Sequence, residues 1–459
     1  NNIREVDRIQ REFEQAAGDL LDSGGASIEV ISQTRSTYRK LIDKVHGIFV
    51  RHIEKSSWPI SGRLSNADVF DKLVAPKLLE SGRRVAYLLI DAMRYELGVE
   101  LAKHLGEAGQ IDVQVACAQM PTVTPVGMAT LLPEAGQNLK IANKDNQLLV
   151  VFGDQPLATV TQRMDMLRKK YGQRFAEMEL VRFVRDHPKV ESTVELLVIR
   201  SNDMDNDFEA NPEAAPGLIS RTFQKIRSAI YKLRDLGFQD VIIATDHGFF
   251  LNTAIEPGDV CAKPSGKWIN VHERTLLGDG VGDASNLVLP SEMLGIRGEY
   301  SQVAIPRALV AYRAGQWYFH GGLSLQEAIV PVIAVKIRAA EIGIGSKLSV
   351  MLNYKRGSKK ITTRLPVIEV EAGASDLFAK ETELLIEAYD VKGHVVGEAK
   401  PGGPVNPATR IITLKPGDTL PITIKMDMDF EGKFVVKALD PITQTALGKP
   451  LELETDYTV

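Results

Sequence analysis

The chain has 459 residues, 44% hydrophobic and 25% charged, which describes a folded globular protein of about two to four domains and excludes a fibrous, collagenous or disordered one. Its 55 Lys plus Arg stand against 59 Asp plus Glu, a formal net charge of -4, so a broad basic face for nucleic acid is excluded and contact with a polyanion must be local or carried by metal ions. Two cysteines, Cys117 and Cys261, are too few for a disulfide framework or a thiolate zinc site and fit a reducing cytoplasm, and no apolar run approaches the roughly 20 residues of a membrane span. The opening Asn1-Asn2, with neither Met nor leader, reads as a piece of something longer.

Residues 1 to 80 read as a helical lead-in. Ile9, Phe13, Ala16, Leu20 and Leu21 recur at helical spacing, Ser23-Gly24-Gly25 interrupts, and a second run carries Tyr38, Leu41, Ile42, Val45, Ile48 and Phe49 on one face. A third helical run covers Val69 to Leu79. From 81 to 337, short apolar runs alternate with helical segments, the pattern of an α/β sheet with helices on both faces. The runs are Val85 to Ile90, Val113 to Ala118, Val194 to Ile199, Val241 to Ala244 and Trp317 to Phe319. Gly343, Gly345 and Ser346 mark a hinge, and alternating strands with Pro and Gly between them make 346 to 459 a C-terminal β-sandwich domain.

Chemistry is expected at the carboxyl ends of the α/β strands, where open sheets bind ligands. The first strand ends in Asp91, which suits a site and a helix N-cap equally. The second leads into Pro121-Thr122-Val123-Thr124-Pro125, with Thr124 at a helix start, placed either to cap the helix or to carry a phosphoryl group. The third ends in Asp203, Asp205 and Asp207, without the Gly and Glu that an EF-hand loop requires. The fourth ends in Thr245-Asp246-His247-Gly248 and the fifth in His320-Gly321-Gly322, carboxylate and imidazole suited to a divalent ion such as zinc or manganese. Each residue alone has a bland reading, but five such strand ends together do not. The run Arg163 to Arg185, seven basic and three acidic residues, reads either as a solvated helix or as a phosphate-backbone face.

As a set, Asp91-Ala92-Met93-Arg94-Tyr95-Glu96, Pro121-Thr122-Val123-Thr124 before Gly127-Met128-Ala129, Thr245-Asp246-His247-Gly248 and His320-Gly321-Gly322-Leu323-Ser324-Leu325-Gln326-Glu327 resemble the PglZ family of BREX phage-defence systems, within the alkaline phosphatase superfamily. The resemblance covers most of the chain, and members of that family are larger than it. It implies an alkaline-phosphatase-like core and two divalent metals, zinc or manganese with magnesium or calcium as alternatives. One metal would be held by Asp91, Thr124, Asp246 and His247, the other by Asp203, Asp207 and His320. Asp205 is the alternative to Asp207 if the third strand ends a residue or two later. Thr124 would be the nucleophile, with Thr122 as the alternative, and a phospho-threonine would form and then be hydrolysed. Arg94, Lys263, Lys267 and Arg307 are candidates for the cation that fixes a substrate oxygen.

The implied activity is a metal-dependent phosphodiesterase or nuclease acting on nucleic acid or nucleotides, with other BREX subunits, including the DNA methyltransferase, as partners. A scaffold of little turnover that binds the methyltransferase is the alternative. A phosphomutase is less favoured, because 135 to 190 is short for an enclosing substrate domain.

Overall fold

The computed structural model describes residues 2–22, 28–185, 189–255, 258–338, 349–373, 381–391, 393–407, 409–441 and 446–457. The expected break at Ser23-Gly24-Gly25 and the expected hinge at Gly343, Gly345 and Ser346 lie outside them, as do the side chains of Leu20 and Leu21. The chain divides into two compact units, the first of 1–183, 188–219 and 236–338, the second of 184–187, 220–235 and 339–459.

In the first unit, helices α1 (Asn2–Asp22) and α2 (Ile28–Ile53) lead in. The buried face of α2 is Ile31, Tyr38, Ile42, His46, Phe49, Val50 and Ile53, whereas Leu41 and Ile48 are exposed. Tyr38 and Ile42 pack with Phe250, Leu309 and Phe319, which brings a histidine, His46, into an otherwise apolar stripe. Burial pushes its imidazole down to about 3.

The seven-stranded sheet comprises β1 (Leu64–Ser65), β2 (Val85–Ile90), β3 (Gly109–Cys117), β4 (Phe175–Glu179), β5 (Leu196–Ser201), β6 (Asp240–Thr245) and β7 (Ile329–Ile337), in the order β1-β3-β7-β6-β2-β5-β4. Neighbours are parallel except around β7, which runs antiparallel to both β3 and β6. All six residues of β2 and of β6 are buried, which explains the continuous apolar runs Val85–Ile90 and 241–244: a strand with both faces covered has no polar side to show, and Asp240 at the start of β6 is held by Lys77 and Arg83. Register places Ile90 level with both Ser201 and Thr245. Asp91, the segment after Ser201 and Asp246-His247 therefore leave the sheet side by side.

One expectation for the sheet changes. Trp317 to Phe319 does not join it; Tyr318–Phe319 pairs antiparallel with Phe250–Leu251 in a separate ribbon. The inner position next to β3 is taken instead by β7, despite Pro331. That proline faces helix α3 (Tyr95–His104), where a Cβ on Gly98 would meet Pro331 Cβ at 2.3 Å. Only a glycine lets the helix lie so close to a proline-bearing strand.

Among its described residues the second unit is mainly β, with helical residues 184–185 and 220–235 and a short 3-10 turn at Lys355–Gly357. Among the described residues, nine strands form an antiparallel system with one parallel strand pair, Lys360–Ile361 with Leu451–Thr455. Alternate residues such as Ile368 and Val370, Leu384, Ile386 and Ala388, Ile422 and Ile424, and Phe434 and Val436 fill a single core, the period of two expected for strands with one covered face.

Candidate metal centre

Asp246 is built first by backbone. Its Oδ1 accepts from the amides of Ala92 at 3.2 Å and His247 at 2.9 Å, and Thr245 Oγ1 accepts from Met93 N at 3.0 Å. Ala92 adopts φ of +57° to bring these amides round, a strained conformation for a residue with a Cβ. Oδ2 of Asp246 is left buried with no hydrogen-bond partner. His247 Nδ1 donates to its neighbour's carbonyl, Gly248 O, at 3.0 Å, which leaves Nε2 as a lone-pair donor. That nitrogen lies 3.4 Å from Asp246 Oδ2, 3.7 Å from Asp91 Oδ1 and 3.3 Å from Thr124 Oγ1.

Burial, reinforced by the Asp246 and Asp205 charges, holds the Asp91 carboxyl well above the usual carboxylate range, and burial raises Asp246 as well. Two buried carboxylates, one with an unpartnered oxygen, beside an imidazole lone pair are costly as they stand and suit a divalent cation. Asp91, Asp246 and His247 offer ligand atoms within 4.8 Å of one another.

Thr124 starts helix α4 (Thr124–Thr130), and Gly127 in that helix has Asp246 so close that a Cβ would meet Asp246 Cβ at 2.6 Å. The glycine lets the helix press its first residue against the carboxylates. The Thr124 hydroxyl is 3.5 Å from Asp91 Oδ1. Thr122 is used otherwise: fully buried, its hydroxyl donates to Gly322 O at 2.7 Å, and its carbonyl accepts from His320 Nδ1 at 2.9 Å. It staples the His320 loop to the Thr124 segment.

The second cluster is Asp205, Glu209 and His320. Asp203 and Asp207, expected as ligands, belong to neither cluster. The strand β5 runs to Ser201, two residues beyond the expected end at Ile199, and helix α5 (Asp203–Ala210) follows at once. At about 100° per residue, Asp205 and Glu209 share one face, and Asp203 and Asp207 share another about 200° away. Asp205 is the alternative foreseen; Glu209 was missed because Asp205-x-x-x-Glu209 and Asp203-x-x-x-Asp207 have the same spacing. Tyr318 donates to Asp205 Oδ1, and burial with the charges of His247 and His272 lowers the His320 imidazole. The rings of His247 and His320 stack with centroids 4.1 Å apart, and His272 lies at 4.1 Å from His320, so the two clusters adjoin.

None of the four expected cations lies at this centre. Arg94 is buried and donates to Glu96 at 2.7 Å and to the Asp7 carbonyl at 3.3 Å. Arg307 pairs with Glu54 at 2.7 Å, and Lys263 and Lys267 are exposed. Arg163 was passed over as part of a basic run; it is buried, with Nη1 donating to Leu157 O and Ala158 O. Burial lowers its pKa against the opposing pull of Asp246 and Asp91. The run itself is not one helix. It breaks into Val160–Tyr171, Phe175–Glu179 and Leu180–Arg185, and Arg168, Lys170, Arg174 and Arg182 pair with carboxylates.

A family model described as the BREX system PglZ alkaline phosphatase-like domain matches residues 69–335. The chain belongs to the PglZ family. The matched PglZ domain contains every residue of both clusters, and its description makes this an alkaline phosphatase-like, phosphoesterase-type domain. The alkaline phosphatase-like protein PglZ of Bacillus cereus (strain H3081.97) is 24% identical over 412 residues, 84% of this chain and 46% of that protein. The alkaline phosphatase-like protein BrxZ of Escherichia coli O9:H4 (strain HS) is 25% identical over 302 residues, 61% of this chain and 34% of that one. The chain thus spans less than half the length of these curated relatives. Among solved structures, a murine ectonucleotide pyrophosphatase/phosphodiesterase 5 matches with TM-score 0.39 and 10% identity, over 55% of this chain and 87% of that one. A phosphonoacetate hydrolase from Sinorhizobium meliloti 1021 matches with TM-score 0.36 and 12% identity, over 55% and 90%. Among the described residues, no helix is long and apolar enough to cross a membrane.

Proposed function

We propose that the chain is a metal-dependent phosphodiesterase with Thr124 as nucleophile, acting on nucleic acid or nucleotides alongside other BREX subunits, the DNA methyltransferase among them. In this reading residues 1–80 are a helical lead-in, 81–337 the catalytic core and 346–459 a separate β domain. The observation that carries it is the Thr124 hydroxyl 3.3 Å from His247 Nε2, next to Asp91 and Asp246.

Asp91, Thr124, Asp246 and His247 would hold one divalent ion, and Asp205, Glu209 and His320 the other. The ions would favour the Thr124 alkoxide and offset charge on the attacking and leaving oxygens. Thr124 Oγ bonds to phosphorus as the bond to the leaving oxygen breaks; that oxygen keeps the electron pair and takes up a proton. Water then cleaves the phospho-threonine and restores the hydroxyl. Asp246 Oδ1, fixed by two amides, holds the first cluster in shape, and the Thr122 staple holds His320 in reach of it.

Bis-p-nitrophenyl phosphate, with manganese, zinc or magnesium supplied in turn, tests the reading. Wild type should turn over with at least one ion, and Thr124→Ala should lose at least about 100-fold in kcat/KM. Unchanged activity in Thr124→Ala would remove the nucleophile assignment, and an inert wild type under every ion would leave the scaffold reading.

A further inference from the structure

Beside the second cluster opens a cleft of about 350 Å³ whose walls include Phe208, Glu209, His272, Trp317, Tyr318 and His320. That volume is near the lower end of the roughly 300 to 1,000 Å³ of small-molecule sites, room for one organic group rather than a length of strand. None of the lining residues is Lys or Arg, so nothing in the cleft neutralises the phosphates of a continuing chain.

Trp317 is the wall that offers the largest aromatic face. It is half-exposed, its carbonyl accepts from Asn252 N at 2.6 Å, and the Arg35 guanidinium lies 5.5 Å from its ring centroid. Arg35 is itself held by Glu14 at 2.7 Å and is not among the cleft residues. The ring thus lines the cleft with a cation close to it from outside, a stacking platform for a second π system. The neighbouring Gln316 offers both a donor and an acceptor for the edge of a base.

The position of the cleft decides which part of a substrate it meets. The Thr124 hydroxyl lies with the first cluster, and the cleft opens on the second. In-line displacement puts the attacking and leaving oxygens on opposite sides of phosphorus, so the group that departs faces the cleft. Resting on the phosphodiesterase reading above, we propose that this cleft is the leaving-group subsite and that it takes a single nucleoside, its base stacked on Trp317.

Calorimetric titration in the Thr124→Ala background, where the ligand is not consumed, tests this with thymidine 5′-monophosphate and 2-deoxyribose 5-phosphate in the presence of manganese. The nucleotide should bind about tenfold more tightly than the sugar phosphate. Adding Trp317→Ala should erase that preference while leaving sugar phosphate affinity within about twofold, and Trp317→Phe should keep most of it. Sugar phosphate binding with no gain from the base, or a preference that survives Trp317→Ala, would overturn the subsite and leave the phosphodiesterase reading intact. Failure of both ligands to bind, in wild type as in Thr124→Ala, would sink the two together. A 5′-phosphorylated thymidine dinucleotide, whose second nucleoside lies beyond the first, would overturn the limit to one nucleoside if it bound about tenfold more tightly than the monophosphate.

Discussion

The two candidate clusters adjoin through the stacked rings of His247 and His320, yet they are built by different means. Asp91, Asp246 and His247 leave parallel strands held in register, and backbone amides fix Asp246 in place. Asp205 and Glu209 owe their place to the phase of a short helix, and Glu209 is exposed. A cluster hung on strand ends inherits the rigidity of the sheet. One hung on a helix face is adjustable by a rotation of a few tens of degrees, and it borders the open cleft.

The sharpest way to break this contrast is Asp246→Asn, which should lower kcat/KM by more than about 100-fold, since even outer partners of metal ligands cost 10- to 100-fold when removed. Next in size, Asp205→Asn with Glu209→Gln should release one ion per chain, measured by plasma mass spectrometry, and cost about 100-fold in activity. Asp203→Asn with Asp207→Asn should keep its metal content and stay within about threefold. If that second pair behaved like the first, the helix phase would be misassigned. Tyr318→Phe removes only the donor to Asp205, so about a tenfold loss of affinity confined to one of two ions is expected; equal loss from both would dissolve the distinction between the clusters.

The smallest effect concerns the metal-free chain. Burial raises Asp91 and Asp246 above their ordinary 3.8, so in EDTA the folded state binds more protons than the unfolded one. Their contribution to stability is present below about pH 4 and is lost as pH rises through the raised folded values. Asp246→Asn removes one such charge and keeps an oxygen for the two amides. In EDTA at pH 8 it should be more stable than wild type by about 1 kcal/mol in urea unfolding, the gain fading towards pH 4. Matching midpoints at pH 8 would mean that the buried carboxyls carry no such strain.

Much of the core was readable for definite reasons. Val85 to Ile90 and Val241 to Ala244 are continuous apolar runs because both faces of their strands are covered, and the polar residues after each stood out against them. Ile329–Ile337 carries Pro331, which argues against an inner strand until Gly98 is seen opposite. Tyr318–Phe319 looked like a core strand because its burial comes from packing against α2 and Phe250, contacts far away in sequence. The apolar pattern of α2 gives no sign of His46 on its buried face, since an imidazole is an unusual core residue.

From sequence alone came the class of fold, the order of the strands that end in Asp91, Asp246 and His247, and the residue types that make a divalent site, because apolar periodicity and the chemistry of side chains are local properties. Spacing could not choose between Asp203 with Asp207 and Asp205 with Glu209, because both pairs have the same interval, nor between Thr122 and Thr124, two hydroxyls of one kind two residues apart. Where strand β5 stops sets the phase of the helix, and where the His320 loop docks gives Thr122 a carbonyl to bind. Both depend on contacts between segments more than 100 residues apart, and only the tertiary structure brings those together.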